Sequence, residues 1–335
     1  MTSGEMPTVD ELLGNSHVLS LPMRTKFRGI TTREVVLFRG PAGWGEFSPF
    51  TEYDDQESAA WLRAGVEAAW DGPPAPYRER VRVNATVPAV SADEVPGILA
   101  LYPGVDTAKV KVAEKGQSSF EKSMADDVAR VRAVRALVPR VRVDANGGWT
   151  VEQAVRALTM LSEDGPLEYA EQPCASVPEL VEVRRRLPGV RIAADESIRR
   201  AEDPLRVVRA GGADVAVVKV APLGGMRALL ELAGELGEYG VPVVVSSALD
   251  SAVGMSAGLA AAAAIPKLEF ACGLGTGTLF VDDVCERPGL LDGTLAAGAV
   301  EPDPERLTAL AAPPDRVEWW HDRVRRVHPL MKPVT

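Results

Sequence analysis

RVRVDANGGW, from Arg140 to Trp149, joins a short β-branched run to an acid and a turn. Val141 and Val143 are residues typical of a buried strand. Asp144 ends the run, and an amide and two glycines follow shortly after it. The stretch therefore predicts a strand that places a carboxylate at its carboxyl end.

The same arrangement occurs twice more along the chain. LEYAEQP carries Glu171 after an apolar run, and RIAADES carries Asp195. The steps from Asp144 to Glu171 and from there to Asp195 are each about 25 residues, roughly one strand and one helix. Consecutive units of this kind place parallel strands side by side, so we expect the three carboxylates to converge. A divalent cation would relieve their repulsion, and ligands that are all oxygen favour Mg²⁺ over Zn²⁺.

The composition is that of an ordinary soluble protein. The 335 residues are 46% hydrophobic and 25% charged, a length that allows one large α/β barrel and a smaller domain. The formal net charge of −10 argues against nucleic acid or an anionic membrane as a partner. Because there is no signal-peptide pattern and the three cysteines are widely spaced, we expect a cytoplasmic protein, a monomer or small homo-oligomer, that acts on a small-molecule carboxylate.

The order of predicted elements indicates a (β/α)8-type, or modified TIM, barrel with an α+β capping domain. In residues 1–80, the capping unit, HVLSLPM and REVVLFRG form a hairpin joined by RTKFRGITT. Residues 81–288 alternate helical patterns with eight strands, in VRVNATVPAV, TAKVKVA, RVRVDAN, LEYAEQP, RIAADES, VAVVKVA, VPVVVSS and LEFACGLG. Residues 289–335 form a tail that we expect to return to the capping domain and complete it.

Three lysines fall on the predicted strands beside the acids. Lys109 and Lys111 lie two apart on the second strand and therefore share one face, which we expect to be the lumen. Lys219 ends the sixth strand, which is diametrically opposite in a barrel of eight. A carboxylate held between these amines suits abstraction of its α-proton, with Mg²⁺ stabilising the enediolate. Any one of these charges alone would more often be a helix cap or a solvated side chain, but the combination indicates catalysis.

Further polar residues follow the same strands. Asn146 and Glu196 would support or join the metal ligands, or else stabilise a turn and cap a helix. Donors for a substrate carboxylate are expected at the ends of the sixth and seventh strands, at Gly224, Gly225, Ser246 and Ser247. A tight turn and a helix cap are the alternative explanations for these two pairs.

The motifs on strands two to six resemble those of the muconate-lactonising subgroup of the enolase superfamily. In chain order they are K-x-K, D-x-N, E-Q-P, D-E-S and V-K. The resemblance spans essentially the whole chain, including the G-W-G-E turn of the capping unit. Two stretches of the capping unit are similar to the o-succinylbenzoate synthases of actinobacterial type. These stretches are LPMRTKFRGITTREVVLFRGPAGWGEFSPF and EYDD. That resemblance implies a metal-dependent carbon–oxygen lyase of menaquinone (vitamin K2) biosynthesis. The reaction would be the syn dehydration of 2-succinyl-6-hydroxy-2,4-cyclohexadiene-1-carboxylate (SHCHC) to o-succinylbenzoate.

The resemblance also implies residue roles. The metal ligands would be Asp144, Glu171 and Asp195, holding Mg²⁺ or, in its place, Mn²⁺. Lys111 would be the general base and would also protonate the departing hydroxide, while Lys109 would favour its neutral form. Lys219 would stay protonated and stabilise the intermediate by its charge and a cation–π contact. The hairpin loop would close over the substrate, and Arg24 or Arg28 would meet the succinyl carboxylate.

Other functions remain open on the same residues. N-succinyl- or N-acylamino-acid racemases and dipeptide epimerases use Lys111 and Lys219 as an acid–base pair, although GLGTGTLF lacks the D-x-D that the epimerases often carry. A Schiff-base aldolase would use Lys219 as its nucleophile. A non-catalytic barrel is disfavoured, because a retired site has no physical reason to keep such costly charges together.

Overall fold

The computed structural model describes residues 6–27, 29–114, 119–199, 203–286 and 289–331. Within these ranges the main elements are a three-stranded antiparallel sheet and a parallel sheet of seven strands. No helix in the described ranges is long and apolar enough to cross a membrane.

The antiparallel sheet packs against one long helix to form the cap. In chain order its elements are α1 (Val9–Gly14), β1 (Ser16–Phe27), β2 (Ile30–Gly40), β3 (Gly43–Phe47) and α2 (Asp55–Trp70). The carboxylate of Asp54 accepts from the amide of Glu57 over 2.7 Å and so begins α2. Gly45 and Gly65 let the sheet and helix approach closely, since a Cβ on Gly45 would strike the backbone of Gly65. The cap is therefore a tightly packed unit.

The β1–β2 hairpin is longer than the sequence predicted. RTKFRGITT was expected to be a loop, but β1 continues to Phe27 and β2 starts at Ile30. Arg24 consequently lies on a strand. The register of the two strands shifts between Pro22 and Phe27, after a proline that has no amide hydrogen for the ladder.

The parallel sheet alternates with helices. Its elements are β4 (Arg80–Arg82), β5 (Ala85–Val87), α3 (Val95–Leu99), β6 (Thr107–Lys111), α4 (Phe120–Arg135), β7 (Arg140–Asp144), α5 (Val151–Leu161), β8 (Ala170–Glu171), α6 (Val177–Arg186), β9 (Ile192–Ala194), α7 (Glu196–Arg199), α8 (Arg206–Arg209), β10 (Val215–Val218), α9 (Val220–Leu223), α10 (Met226–Glu238), β11 (Val243–Val245) and α11 (Ala252–Ala263). Strands β5 to β11 pair in chain order, each parallel to its predecessor. A capping box of Thr150 and Gln153 begins α5.

The segment around Cys272 closes the parallel sheet. Val83 bridges Cys272 on one side, and Ser246 bridges Gly273 on the other, both in parallel. These are single bridges, so the predicted eighth strand is shorter than LEFACGLG suggested, and the predicted first strand is divided between β4 and β5. The closed sheet confirms the predicted (β/α)8-type barrel.

Alternation along the strands separates two apolar regions. Val141 and Val143 pack into the large core between the barrel and its helices. A smaller cluster lies on the opposite face of the strands and consists of Tyr169, Ala193, Val215, Val217, Val244 and Phe270. Because side chains alternate, Asp144 and the lysines of β6 point into the barrel with this second set.

The C-terminal residues return to the cap. They form β12 (Thr294–Ala296), α12 (Pro304–Ala309) and α13 (Pro314–Val327). β12 pairs with β4, while Trp320 on α13 donates its indole N–H to the Glu34 carboxylate over 3.0 Å. The Trp320 ring also meets Phe47 edge-on, with centroids 5.9 Å apart. The tail thus packs on the cap, while the boundaries at residues 80 and 288 stay predictions.

Candidate active site

Three neighbouring strands deliver carboxylates to the carboxyl end of the barrel. Asp144 and Glu171 are the last residues of β7 and β8, and Asp195 directly follows β9. Asp144 and Glu171 are each 1% exposed and Asp195 is 2% exposed. Asp144 lies beside Glu171 in the register of the sheet. The structure therefore brings the three predicted acids together in a buried site.

Residues with left-handed backbone conformation follow the strands that carry Asp144 and Glu171. Asn146 has a φ of 46°, and Gln172, directly after β8, has a φ of 38°. The amide of Asn146 donates to Asp144 Oδ1 over 3.1 Å. The side-chain oxygen of Gln172 accepts from the amides of Asp195 and Ser197 over 3.1 and 3.2 Å. Side-chain hydrogen bonds thus hold turns that would otherwise be strained.

The two lysines of β6 contact two of the acids. Lys109 Nζ donates to both oxygens of Glu171, over 2.8 and 2.9 Å, and lies 3.4 Å from Asp144 Oδ2. Lys111 Nζ donates to Asp144 and, over 2.8 Å, to Asn146 Oδ1. Both ammonium groups therefore lie on one side of the cluster.

Lys219 contacts the third acid from β10. Its Nζ donates to Asp195 Oδ2 over 2.6 Å. Arg199 donates Nε to Asp195 Oδ1 over 3.0 Å and Nη2 to Glu196 Oε1 over 2.8 Å. Asn146 Nδ2 also reaches Glu196 Oε1, over 3.3 Å. Asn146 and Glu196 therefore link the two halves of the cluster.

Burial and charge compete in setting the proton affinities of the acids. Burial raises the pKa of Asp144, but the charges of Lys111 and Lys109 outweigh burial and hold that pKa well below its usual range. For Glu171, burial and the Asp144 charge outweigh the opposing effect of Lys109 and raise the pKa to about 7. For Asp195, burial is outweighed by two neighbouring cations, and the pKa falls.

The cluster has the donor chemistry of a site for a hard divalent cation. The pKa of Glu171 is raised although Lys109 contacts both of its oxygens, because burial and the Asp144 charge outweigh that contact, and a bound cation would offset both effects. Carboxylate oxygens are the ligands that Mg²⁺ prefers, and Asp144, Glu171 and Asp195 are the residues that could hold it. Each is turned towards a cationic side chain, and in the described ranges no three His, Cys, Asp or Glu side chains are grouped closely enough to bind one ion.

The cap reaches this cluster through its hairpin. The Phe27 ring centroid lies 5.5 Å from Lys111 Nζ. Arg24 is exposed on β1, and its Nη2 donates to the carbonyl of Val281 over 3.4 Å. Arg28 lies outside the described residues. The succinyl-binding role of Arg24 stays a prediction.

The glycines after β10 face the cap. Gly224 and Gly225 have φ values of 88° and 140°, conformations that favour glycine. A Cβ on Gly224 would strike the Arg63 guanidinium, and one on Gly225 would strike the Glu67 carboxylate. Arg63 Nε also donates to the carbonyl of Gly224 over 2.9 Å. The pair forms a tight turn against α2, and its predicted contact with a substrate carboxylate remains untested.

The serines after β11 are buried, and both contact the segment that closes the barrel. Ser246 Oγ donates to the carbonyl of Gly273 over 3.4 Å. Ser247 Oγ lies 2.5 Å from Thr276 Oγ1. Both contacts join the seventh strand to the closing segment, and carboxylate binding by either serine remains a prediction.

The sequence candidates omitted three residues of the cluster: Phe27, Gln172 and Arg199. Arg199 could have been found from its position four residues after Asp195, the spacing of ion pairs on one helical face. Gln172 lies inside the E-Q-P motif, directly after an acid. Phe27 gave no signal, because its stretch was expected to be a loop.

Comparison with known proteins identifies the family of this chain. Residues 18–69 match the family "Enolase N-terminal domain-like", and residues 99–301 match "Enolase C-terminal domain-like". The chain belongs to the enolase superfamily. This superfamily member is an enzyme, and enzymes of the superfamily generally use Mg²⁺.

Within the superfamily, similarity extends over almost the whole chain. The o-succinylbenzoate synthase of Mycobacterium marinum is 61% identical, over 97% of this chain and 96% of that one. The o-succinylbenzoate synthase of Mycobacterium tuberculosis is 60% identical over 98% of both. The muconate lactonizing enzyme of Pseudomonas fluorescens has the same fold, with a TM-score of 0.73 at 22% identity over 89% of this chain and 98% of that one. The predicted family is confirmed.

Proposed function

We propose that this protein is an o-succinylbenzoate synthase, a lyase that removes water from SHCHC. The observation that carries the proposal is the convergence of three buried acids and three lysines in a chain 61% identical to such a synthase. The product is aromatic, and the resemblance of the family motifs places the reaction in menaquinone biosynthesis.

Asp144, Glu171 and Asp195 would hold Mg²⁺, for which Mn²⁺ would substitute. Their buried oxygens and the raised pKa of Glu171 support this assignment. When bound, the cation supplies positive charge beside the substrate carboxylate, where negative charge develops during proton removal. Asn146 and Glu196 orient this set through their mutual hydrogen bond.

Lys111 acts as the general base. Its amine removes the ring proton α to the carboxylate, and the resulting ammonium returns that proton to the departing hydroxyl group, which leaves as water. One residue serves both steps because the two groups leave from the same face. Lys109, whose Nζ donates to both oxygens of Glu171, keeps a second positive charge beside Lys111.

Lys219 stays protonated on the opposite side. Its Nζ donates to Asp195 Oδ2 over 2.6 Å. The ammonium stabilises the intermediate through its charge and through a cation–π contact with the conjugated ring. Arg24 or Arg28 is the candidate for the succinyl carboxylate. Further candidates for binding a substrate carboxylate are Gly224, Gly225, Ser246 and Ser247.

We also propose a cytoplasmic location and a monomeric or small homo-oligomeric state. Three free, buried cysteines, at Cys174, Cys272 and Cys285, support a reducing compartment. Sedimentation of the purified protein would give the oligomeric state.

The activity is tested with purified protein, SHCHC and Mg²⁺, by following the aromatic product in the ultraviolet. We expect turnover that is lost on chelation and restored by Mg²⁺ or Mn²⁺. Racemisation of N-succinyl amino acids without formation of o-succinylbenzoate would instead assign the chain to the racemases, which share Lys111 and Lys219. Inactivation by borohydride in the presence of substrate would indicate a Schiff base at Lys219.

A further inference from the structure

Arg199 carries a buried guanidinium whose three nitrogens each bind a different residue. Its side chain is 5% exposed. Nε donates to Asp195 over 3.0 Å, Nη2 to Glu196 over 2.8 Å and Nη1 to the hydroxyl of Tyr53 over 3.2 Å. Asp195 and Glu196 lie at the barrel mouth, but Tyr53 belongs to the cap, just before α2. Arg199 therefore links the acid cluster to the other domain.

Tyr53 is a rigid partner for this link. Its buried ring packs edge-on against Phe50 and Trp61, with centroids 5.6 and 6.0 Å away. Its backbone oxygen accepts from Arg323 of α13 over 2.5 Å. Because residues of the cap and of the tail both contact Tyr53, the position of its hydroxyl depends on how the cap packs against the barrel.

Arg199 also balances the charge of the acid cluster and donates a hydrogen bond to Asp195. The acids of the cluster are Asp144, Glu171, Asp195 and Glu196, and its lysines are Lys109, Lys111 and Lys219. Arg199 adds the fourth positive charge. It occupies Oδ1 of Asp195 while Lys219 occupies Oδ2, so two cations fix the plane of one carboxylate.

We propose that Arg199 is a positioning residue that orients Asp195 for the divalent cation and couples this orientation to the cap through Tyr53. The inference rests on the proposed function in one respect, the role of Asp195 as a metal ligand. Residues that orient metal ligands change cation affinity without touching the cation. The seating of the cap therefore sets how tightly the barrel mouth holds its cation.

The test measures the Mg²⁺ dissociation constant by calorimetry, on full-length protein without substrate. Arg199→Lys keeps the charge but loses the planar fork, and we expect affinity to fall about 10- to 100-fold. Tyr53→Phe removes one hydroxyl, and we expect a loss of about fivefold, the effect of a single hydrogen bond. The exposed Arg132→Lys and Tyr77→Phe are matched controls and should bind Mg²⁺ as the wild type does.

A double variant distinguishes coupling from two separate effects. If the Tyr53 hydroxyl acts through the guanidinium, Tyr53→Phe should cost no further Mg²⁺ affinity in the Arg199→Lys background. An additive loss would overturn the coupling, and wild-type affinity in Arg199→Lys would overturn the positioning role. Tighter Mg²⁺ binding by Arg199→Met would also contradict it, since removal of a repelling charge would then dominate.

Thermal midpoints measured alongside separate positioning from folding. We expect Tyr53→Phe to lose Mg²⁺ affinity at a nearly unchanged midpoint, and this variant carries the test if Arg199→Lys is poorly folded. A loss of affinity that only follows a fall in the midpoint would refute the inference. Failure of the proposed function would look different: the wild type would bind Mg²⁺ with these dependences yet leave SHCHC unchanged.

Discussion

Glu46 and Asp250 form a buried pair of acids where the cap meets α11, and their contacts predict a pH-dependent stability. Glu46 Oε2 accepts from the amides of Ser251 and Gly254 over 3.0 and 3.1 Å. Asp250 Oδ2 accepts from the amide of Ala248 over 3.0 Å. Burial and the Glu46 charge raise the pKa of Asp250 to about 7. Asp250→Asn keeps an acceptor for that amide but removes the charge.

The direction of the effect follows from proton binding. Because the folded protein binds a proton at Asp250 more tightly than the unfolded chain does, this group stabilises the fold fully below its ordinary pKa of 3.8. That contribution is lost as the pH rises to about 7. The full difference, about 3 pKa units, corresponds to about 4 kcal/mol at most. Glu46 shares this repulsion, so we expect Asp250→Asn to gain about 2 kcal/mol above pH 7.

The measurement is the thermal midpoint of wild type and Asp250→Asn at pH 5 and at pH 8. We expect the variant to melt about 3 °C higher at pH 8 but only about 1 °C higher at pH 5, where roughly a third of the contribution of Asp250 has been lost. Asp126→Asn, an exposed acid on α4, is the control and should show no such difference. A lower midpoint for Asp250→Asn at pH 8, or an equal shift at both pH values, would mean that the charge of Asp250 does not oppose folding.

Three further changes test other contacts. Phe27→Leu removes the ring beside Lys111 and should lower kcat/KM for SHCHC about threefold to fivefold. An unchanged kcat/KM would mean that the cap hairpin does not contribute to the active site. Arg63→Ala removes the hydrogen bond to Gly224 and should destabilise the protein by about 1–3 kcal/mol, seen as a lower thermal midpoint, whereas an unchanged midpoint would mean that this contact does not secure the cap. Glu171→Gln should weaken Mg²⁺ binding at least about tenfold in calorimetry, and unchanged affinity would exclude Glu171 as a ligand.

Short-range sequence patterns were sufficient to predict the barrel and the convergence of its acids and lysines. Val141, Val143 and Asp144 obey the period of a strand, so the faces of β7 and the place of its acid follow from short-range rules. The same rule places Lys109 and Lys111 on one face. These features depend on neighbours within a few residues, which is the range over which a single sequence is informative.

Long-range contacts could not be predicted in this way. Arg199 and Tyr53 are 146 residues apart, and Glu46 is 205 residues from Ser251. Such pairs form only when the cap is seated on the barrel, and no local spacing encodes that geometry. RTKFRGITT was misjudged as a loop because its many polar residues do not show the alternation of a half-buried strand.

We propose that Lys111 moves the proton at a barrel mouth whose acids hold a cation. Lys111→Ala tests this claim most directly, with o-succinylbenzoate formation and Mg²⁺ affinity measured on the same preparation and the exposed Lys267→Ala as control. We predict that Lys111→Ala loses activity about 10³-fold or more while still binding Mg²⁺. Turnover of SHCHC by Lys111→Ala within about tenfold of the wild-type rate would exclude Lys111 as the general base.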